Sequence, residues 1–323
     1  MDTDAFGKYL HKPQRIRLLV RDSVTSTNLL VKELGAQGAP EGTLMVASEQ
    51  TQGRGRLGRR FESPKGTGLY ATLLLRPKLP ITQSLQITIL TAVAVAEGIE
   101  AAAGLGAGTT AAAEGDTETT AAVLRPEIKW VNDIYLGNRK ICGILAESTL
   151  VPCTDRIAYT ALGFGINLEE PQGGFTGTAA GVAGALYPYG EMPEGFRERV
   201  LAETVNRILM YYDELVSAAD DTSSDVAASS DTTGIAPAAR ELSYMARYRA
   251  SDYLFGKDVW LLDDITKPDN ARPAHAVAID AEGRLIVTLP DGTTEAVVSG
   301  DVTVRIASDP DIFRGGASTQ EEE

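Results

Sequence analysis

Cysteine and histidine are scarce in this sequence of 323 residues, which contains two of each. Two cysteines, Cys142 and Cys153, cannot staple a chain of this length, and their scarcity is typical of a reducing compartment. The histidines, His11 and His275, lie outside the motifs described below. The sequence therefore offers no convincing Ser-His or Cys-His pair for nucleophilic catalysis.

Long apolar runs are also absent. No uninterrupted apolar stretch of about 18 residues occurs, which argues against a membrane-spanning helix. The alanine-rich segment Thr88–Ala103 is interrupted by Glu97 and Glu100 and is predicted to be a buried helix. The beginning, MDTDAFGKYLHKPQ, contains acids and lacks the apolar run of a secretory signal. We expect a cytoplasmic protein.

Positively charged residues are fewer than negatively charged ones. The chain has 30 Lys and Arg against 44 Asp and Glu, so its net charge is -14 and its pI is near 4.7. A protein with this balance repels polyanions, which disfavours a general nucleic-acid-binding role. Any bound anion must therefore be held by a local cluster of Arg and Lys.

Length and a hydrophobic content of 43% predict two domains. Strand and helix patterns through residues 1–254 predict an α+β domain around a mixed or antiparallel sheet. Short strands separated by turn residues predict a five-stranded β-barrel over 255–310, followed by a disordered tail at 311–323. Two low-complexity segments, at about 104–124 and 218–236, are predicted to be mobile insertions.

The first domain begins with a predicted strand, a helix capped by Ser26, Thr27 and Asn28, and a stop at Gly35. Further helices are predicted at Gln83–Ala103 and Pro193–Ser217. The strand patterns are IRLLVRDSV, TLMVAS, LYATLLLRP, EIKWVNDIYL, KICGILAES and RIAYTALGFGINL.

A long polar loop runs from Glu49 to Gly68, and its segment at 53–60, Gly-Arg-Gly-Arg-Leu-Gly-Arg-Arg, is here called the glycine–arginine loop. It matches the bare G-x-G-x-x-G pattern of dinucleotide-binding folds. That pattern should follow a strand directly and open a helix, but polar residues precede it here and Pro64 follows. The context argues against a Rossmann fold.

The glycine–arginine loop places Arg54, Arg56, Arg59 and Arg60 within seven residues. Guanidinium groups suit phosphate because their planar fork donates two charge-assisted hydrogen bonds. Glycines between them let the backbone approach a ligand. The alternative is a solvated charge run on a surface loop. We favour an anion-binding loop that folds over its ligand.

A second constellation, Lys-Trp-Val-Asn-Asp at 129–133, lies on a predicted strand. Alternation would put Lys129, Val131 and Asp133 on one face and Trp130 and Asn132 on the other. A lysine inside such a strand is costly to bury unless it has a negative partner. An edge lysine with its ammonium in water is the alternative, which the neighbouring motifs disfavour.

These motifs, taken in order, resemble those of biotin–protein ligases. The matching segments are Ser-Thr-Asn at 26–28, Glu-Gln at 49–50 leading into the glycine–arginine loop, 129–133, Arg-Lys-Ile-Cys-Gly-Ile-Leu-Ala-Glu at 139–147 and Gly-Phe-Gly-Ile-Asn at 163–167. The likeness extends from about residue 15 to 307, apart from the two insertions. It implies a catalytic fold like that of class II aminoacyl-tRNA synthetases, with a Src-homology-like C-terminal barrel.

The resemblance implies a two-step ligase reaction. The carboxylate of biotin attacks the α-phosphorus of ATP, which gives biotinyl-5'-AMP and pyrophosphate. A lysine amine of a biotin carrier protein then attacks the mixed anhydride and releases AMP. The implied cofactors are ATP and Mg²⁺, with biotin as substrate and the biotin carrier domain of a biotin-dependent carboxylase as partner. A homodimer is compatible with the sequence.

The resemblance also implies the site residues. Lys129 and Arg56 would be catalytic, with Lys129 neutralising the carboxylate and the α-phosphate. The implied biotin-binding residues are Ser26, Thr27, Asn28, Gln50, Arg54, Gly55, Arg56, Lys129 and Gly143. The implied ATP-binding residues are Arg56, Arg59, Phe61, Lys129, Asn132 and Asn167. Mg²⁺ would enter through the ATP phosphates, with Asn167 as a possible ligand.

Three positions depart from the family pattern. Phe61 stands where the family often has a Trp that stacks on adenine, Val131 replaces a Pro, and Cys142 replaces a small apolar residue. None of these changes removes a catalytic group. About 25 residues precede Ser26, too few for the winged-helix domain with which some members bind operator DNA, so no specific DNA binding is expected.

Two other functions are considered. A lipoate–protein ligase shares the catalytic fold and a comparable lysine, but lacks the glycine–arginine loop in this form. A nucleic-acid-binding module could use Arg54–Arg60 against phosphates, but the net charge of -14 and the lack of aromatics in that segment argue against it.

Overall fold

The computed structural model describes residues 1–104, 125–228, 241–262, 270–298 and 303–306. The helices are α1 Thr3–Tyr9, α2 Thr27–Ala36, α3 Ser84–Ala102, α4 Phe196–Ala228 and α5 Ser243–Ala250. The strands of the first sheet are β1 Arg17–Val24, β2 Thr43–Gln50, β3 Gly68–Leu75, β4 Glu127–Lys129, β5 Asp133–Leu136, β6 Arg139–Leu150 and β7 Ile157–Asn167. Those of the second sheet are β8 Asp258–Leu262, β9 Arg272–Ile279, β10 Leu285–Thr288, β11 Thr294–Val297 and β12 Thr303–Ile306.

The first sheet has seven strands in the order β1-β2-β3-β7-β6-β5-β4. Strands β1 and β2 are parallel, and α2 makes the crossover that a parallel pair requires. The other neighbours are antiparallel. The predicted mixed sheet with helices is confirmed.

Helices cover both faces of this sheet. On β3, Leu74 packs against Val31 of α2, whereas its neighbour Leu73 belongs to the larger core that contains Ile89 of α3. Successive residues of a strand point to opposite faces, so α2 and α3 lie on opposite sides of the sheet. Helix α3 also contacts α4 and α5.

Helix α3 is apolar on nearly all sides because it is enclosed by the sheet and two helices. The window Ile81–Ala102 is long and apolar enough to cross a membrane, but 72% of it is buried inside the protein. The prediction of a buried helix here is confirmed. Glu97 and Glu100, which interrupt the apolar run, form ion pairs with Arg207 and Arg247.

The expected single strand at 127–136 is wrong, because the chain turns at residues 130–132 and forms the hairpin β4–β5. Lys129 and Asp133 do share a face, but as cross-strand partners, and Val131 is buried in the core. The turn is held by hydrogen bonds between Asn132 and Ile144 in both directions. These bonds fix the backbone at Asn132 in the turn, so β4 and β5 do not continue as one strand.

Two predicted helix ends also differ. Ser26 occupies the N-cap of α2, but its side chain makes no capping bond, and the Gln50 side chain instead accepts from Thr27 N at 2.9 Å. Gly35 lies inside α2, where a Cβ would come within 2.7 Å of the Tyr159 ring, so it serves close packing and not termination. The left-handed glycine after the helix is Gly38, with φ of 85°.

The predicted insertions fall largely outside the described residues. Residues 105–124 of the first are not described. In the second, α4 begins at Phe196 and continues past Ser217 to Ala228, so that residues 218–228 are helical and 229–240 are not described. The predicted tail at 311–323 also lies outside the described ranges.

The five strands predicted for the C-terminal domain are confirmed. Their described pairings form an antiparallel sheet in the order β11-β10-β9-β8-β12. This sheet docks on the first domain through the β9–β10 turn, where the Trp130 Nε1 donates to the Gly283 carbonyl at 2.9 Å. Gly283 has φ of 85°, and a Cβ there would lie 2.1 Å from Ile89 Cδ1 of α3, so this close turn favours glycine.

Candidate active site

A narrow cavity of about 30 Å³ opens on the α2 face of the first sheet. The start of α2, the end of β2, the glycine–arginine loop and the middle of β6 and β7 surround it. Its lining residues are Ser26, Thr27, Asn28, Gln50, Arg54, Phe61, Ala71, Gly143, Leu145, Gly163, Phe164 and Gly165. Seven of these are residues that the sequence assigns to biotin or ATP.

One side of the cavity is a continuous polar network. Thr27 Oγ1 donates to Gln50 Oε1 at 3.1 Å, and Gln50 Nε2 donates to Ser63 Oγ at 3.0 Å. The Thr72 hydroxyl lies 2.8 Å from Thr27 Oγ1 and 2.7 Å from Asn28 Oδ1. Because these groups orient one another, the wall presents fixed donors and acceptors, as a ligand with a polar ring requires.

The floor of the cavity consists of glycines on neighbouring strands. A Cβ at Gly163 would lie 1.9 Å from Asn28 Oδ1, and one at Gly165 would lie 2.6 Å from the Phe61 ring. The same ring would be 3.1 Å from a Cβ at Gly143. The missing side chains therefore make room for Phe61 and Asn28, and they bring the backbone of β6 and β7 to the cavity surface.

The glycine–arginine loop is a narrow hairpin. Arg54 pairs with Arg60, Phe61 N donates to Gly53 O at 2.9 Å, and Gly55 N donates to Arg59 O at 2.8 Å. Its tip is a short 3-10 turn at Arg56–Gly58 and is followed by β3. No dinucleotide-binding strand–loop–helix unit is formed at 53–58, in agreement with the rejection of the Rossmann fold.

The arginines of this hairpin approach the start of β5. Arg56 Nη1 donates to Asn132 Oδ1 at 3.2 Å, and Asn132 Nδ2 donates to Asp133 Oδ1 at 3.1 Å. Lys140 Nζ forms an ion pair with Asp133 at 2.7 Å. Asp133 is thus the carboxylate around which cationic side chains gather.

Burial lowers the pKa of Arg56 below its ordinary value, although Asp133 and Tyr248 oppose that shift. Burial likewise lowers the pKa of Arg59, and the positive charge of Arg305 adds to the effect. Arg56 is thus held partly out of water, whereas Arg59 is exposed and lies beside the cations Arg56 and Arg305. An arrangement of this kind is stabilised by a bound anion.

Strand register connects Lys129 with the cavity floor. Lys129 pairs with Asp133, Asp133 pairs with Gly143, and Gly143 pairs with Gly165. Paired residues on antiparallel strands point to the same face, so the Lys129 side chain stands on the cavity side of the sheet. Two strand spacings place its Cα about 10 Å from that of Gly143. A lysine side chain can cover most of that distance.

The Lys129 ammonium lies 5.4 Å from the centre of the Tyr135 ring, and Tyr135 stacks on Tyr253 at 4.7 Å. Asp133 and Tyr135 are also electrostatic neighbours of Arg59. The lysine and the arginines therefore surround the same short strand, β5. The arrangement can neutralise a carboxylate and a phosphate that meet at this place.

The structure groups the predicted residues unevenly. Ser26, Thr27, Asn28, Gln50, Arg54, Phe61 and Gly143 line the cavity. Arg56, Arg59, Lys129 and Asn132 gather around β5. Gly55 lies in the hairpin backbone, and Asn167 is buried at the end of β7, where its Nδ2 donates to Gly184 O at 2.9 Å.

Phe61 lies on the glycine floor among the residues assigned to biotin, whereas the sequence assigns it to ATP. Its proposed stacking on adenine stays a prediction. Arg56 also lines a second cavity of about 260 Å³ on the α3 face, with Ile81, Ser84, Leu85, Thr88, Ile144, Ala146 and Ser148.

Sequence reasoning missed several residues of the site. Thr72 carries a hydroxyl on a fully buried strand, which indicates that it has a hydrogen-bonding partner. Gly163 and Gly165 lie two positions apart on β7, which is the period of one strand face. Lys140 carried no such indication, because it meets Asp133 through pairing between strands.

Magnesium is implied by the family resemblance. Within the described parts of the chain, no group of three or more His, Cys, Asp or Glu side chains could hold a metal ion. Asp133 forms an ion pair with Lys140, and the Asn167 side-chain amide donates a hydrogen bond to the Gly184 carbonyl. These residues fit a magnesium ion that arrives on ATP phosphates better than one held by a protein cage.

Comparison with known proteins agrees with this geometry. Residues 19–167 match the Biotin/lipoate A/B protein ligase family, and residues 269–305 match the biotin protein ligase C-terminal domain. Bifunctional ligase/repressor BirA of Bacillus spizizenii is 37% identical over 169 residues, which cover 52% of this chain and 46% of that protein. The biotin–[acetyl-CoA-carboxylase] ligase of Paracoccus denitrificans is 32% identical over 151 residues, 47% of this chain and 53% of that protein. The matched segments thus span about half the length of these curated relatives.

Among solved structures, the biotin protein ligase of Aquifex aeolicus in complex with biotin and ATP superposes with a TM-score of 0.63. The identity is 22%, and the match covers 90% of this chain and 99% of that one. The fold is accordingly that of the biotin protein ligases. The chain therefore contains a catalytic domain of the Biotin/lipoate A/B protein ligase family at residues 19–167 and a biotin protein ligase C-terminal domain at residues 269–305.

Proposed function

We propose that the protein is a biotin–protein ligase that activates biotin with ATP and transfers it to a lysine of a carrier protein. One observation carries this proposal. A glycine-floored cavity with a fixed polar wall lies in register with Lys129, and Arg56 bonds to Asn132 next to Asp133, the cross-strand partner of Lys129. This combination suits a small acid whose carboxylate must meet a phosphate.

In the first step, the ring of biotin lies against Ser26, Thr27 and Asn28, and its carboxylate points towards β5. Lys129 and Arg56 neutralise that carboxylate and the α-phosphate, which otherwise repel each other. A carboxylate oxygen forms a bond to the α-phosphorus while the bond to the pyrophosphate oxygen breaks. Positive charges preorganised around the phosphorus stabilise the charge that grows there.

The nucleotide is held by Arg56, Arg59, Phe61, Asn132 and Asn167 in this proposal. The ATP phosphates would hold Mg²⁺, which would reduce their negative charge. In the second step, the neutral amine of the carrier lysine attacks the acyl carbon, and AMP leaves. The glycine–arginine loop shields the mixed anhydride from water between the two steps.

The carrier is a biotin carrier domain of a biotin-dependent carboxylase, and the reaction takes place in the cytoplasm. The name of the Paracoccus denitrificans relative supports this class of acceptor. A homodimer is compatible with the β1 edge of the first sheet, which has no strand partner on its outer side among the described residues.

Lipoate is the competing substrate, since the matched family contains both kinds of ligase. Incubation of the purified protein with ATP and either acid, followed by measurement of AMP and pyrophosphate, separates the two. We expect release of AMP and pyrophosphate with biotin. We also expect the mass of a biotinyl group on a lysine of the carrier domain. Turnover with lipoate and none with biotin would refute the proposal.

A further inference from the structure

Glu147 on β6 lies immediately behind the polar wall of the cavity. Its side chain is 18% exposed, and it is not one of the lining residues. Glu147 Oε2 accepts from Asn28 Nδ2 at 3.1 Å, and the same amide donates to Leu145 O at 3.0 Å. The carboxylate therefore helps to set the orientation of a side chain that faces the cavity.

The same carboxylate also reaches the glycine–arginine loop. Arg54 Nη1 lies 3.3 Å from Glu147 Oε1 and 3.4 Å from Oε2, and Arg54 itself lines the cavity. Lys32 of α2 donates to Oε1 at 3.1 Å from another side. Glu147 is thus the point at which α2, the sheet and the loop meet.

Ionisation of this group is favoured where it stands. Burial alone would raise the pKa of Glu147, but hydrogen bonds from Asn28 and Lys32 and the charges of Lys32 and Arg54 outweigh it, and the pKa is lowered. The carboxylate is therefore negative at neutral pH. It offers a fixed counter-charge to a loop whose four arginines repel one another.

We propose that Glu147 is a latch that couples recognition at Asn28 to closure of the glycine–arginine loop through Arg54. This inference rests on the proposed function, because it concerns how long the acyl-adenylate stays enclosed. Glu147 is a positioning residue and touches no reacting atom. When Asn28 is held by a bound ligand, the carboxylate is fixed and Arg54 gains a rigid partner, so the loop opens more slowly.

The test measures how fast biotinyl-AMP leaves the full-length protein. The adenylate is formed from biotin and ATP, excess ligand is removed, and release is followed in the absence of a carrier. Glu147→Gln keeps an oxygen acceptor for Asn28 but loses the charge. Partly exposed ion pairs contribute ~0.2–1 kcal/mol, which corresponds to a release rate about 1.4- to 5-fold faster.

Two further variants separate the latch from a general effect. Arg54→Met removes the other partner and should accelerate release to the same extent, and the double variant should be no faster than either single one. Lys32→Met removes an ion pair of Glu147 that does not involve the loop, and release should stay at the wild-type rate. Arg54 is 41% exposed on its side chain, so this variant tests the latch even if Glu147→Gln fails to fold.

Salt gives a readout that a purely structural role would not change. Added salt should speed release from the wild type and have little effect in Glu147→Gln, because the screened pair is already gone. Equal release rates for wild type, Glu147→Gln and Arg54→Met would refute the latch while leaving the ligase assignment intact. A wild-type protein that forms no adenylate from biotin would refute both.

Discussion

Replacing Trp130 by phenylalanine is expected to destabilise the protein by about 2–4 kcal/mol. Trp130 is 7% exposed, and its Nε1 donates to Gly283 O at 2.9 Å in the β9–β10 turn. Phenylalanine cannot donate, so a buried carbonyl loses its partner, which costs ~1–3 kcal/mol. The smaller ring leaves a void that adds ~1 kcal/mol.

The assay is urea unfolding followed by far-ultraviolet circular dichroism, which does not depend on tryptophan emission. Phe255→Leu is the matched control, because Phe255 is 68% exposed and a surface change of this kind should stay within about 0.5 kcal/mol. Adenylate formation should also fall in Trp130→Phe, since the residue follows Lys129 directly. A loss of stability no larger than that of the control would refute the docking role of the indole.

Three other predictions concern charge, loop closure and the cavity floor. Burial raises the pKa of Asp252 to about 6, above its value in the unfolded chain. Ionisation of this carboxyl therefore opposes folding, and its contribution to stability falls as the pH rises from about 4 to about 6. Asp252→Asn should therefore be more stable at pH 7 by about 1–3 kcal/mol in urea unfolding, with the advantage gone near pH 4, and a constant difference would contradict this. Trypsin cleavage at Arg54 and Arg60 should slow when biotin and ATP are both present, and an unchanged cleavage pattern would count against loop closure. Gly165→Ala should displace the Phe61 ring and weaken biotin binding in calorimetry about tenfold, whereas Gly7→Ala, where nothing lies within 4 Å, should not.

Much of the fold could be predicted from local patterns. The buried strand β3 follows from a short, mainly apolar run, and the buried helix α3 follows from a longer, mainly apolar segment. The five C-terminal strands follow from short β-branched runs between turn residues. These features depend on residues that are adjacent in the chain, and such local patterns are visible in the sequence.

The turn at 130–132 could not be predicted in this way. Its causes are Asn132 bonding to Ile144 and Trp130 bonding to Gly283, both of which are contacts between distant segments. Gly35 was assigned to helix termination for a similar reason, because its contact with Tyr159 appears only after β7 packs on α2. The sequence alone does not distinguish a glycine needed for a turn from one needed for close packing against another segment.

The candidate site shows the same division. Ser26, Thr27, Asn28 and Gln50 were found through motif order, and they meet at one cavity. In the sequence, Glu147 is only the last residue of the matching segment 139–147. Its position between Asn28 and Arg54 depends on the pairing of β6 with its neighbours. Long-range pairing of charges is the part of the site that periodicity and spacing do not contain.

The most direct test of the account is biotin-dependent exchange of pyrophosphate into ATP in wild type and Lys129→Met. Methionine keeps most of the length of the side chain and removes its charge, and Lys78→Met serves as the control at an exposed lysine. We predict exchange with biotin in wild type and in the control, and a loss of about 100- to 1000-fold in Lys129→Met. Exchange that needs no biotin, or that survives unchanged without the Lys129 ammonium, would contradict the convergence of lysine and arginines on one carboxylate–phosphate junction.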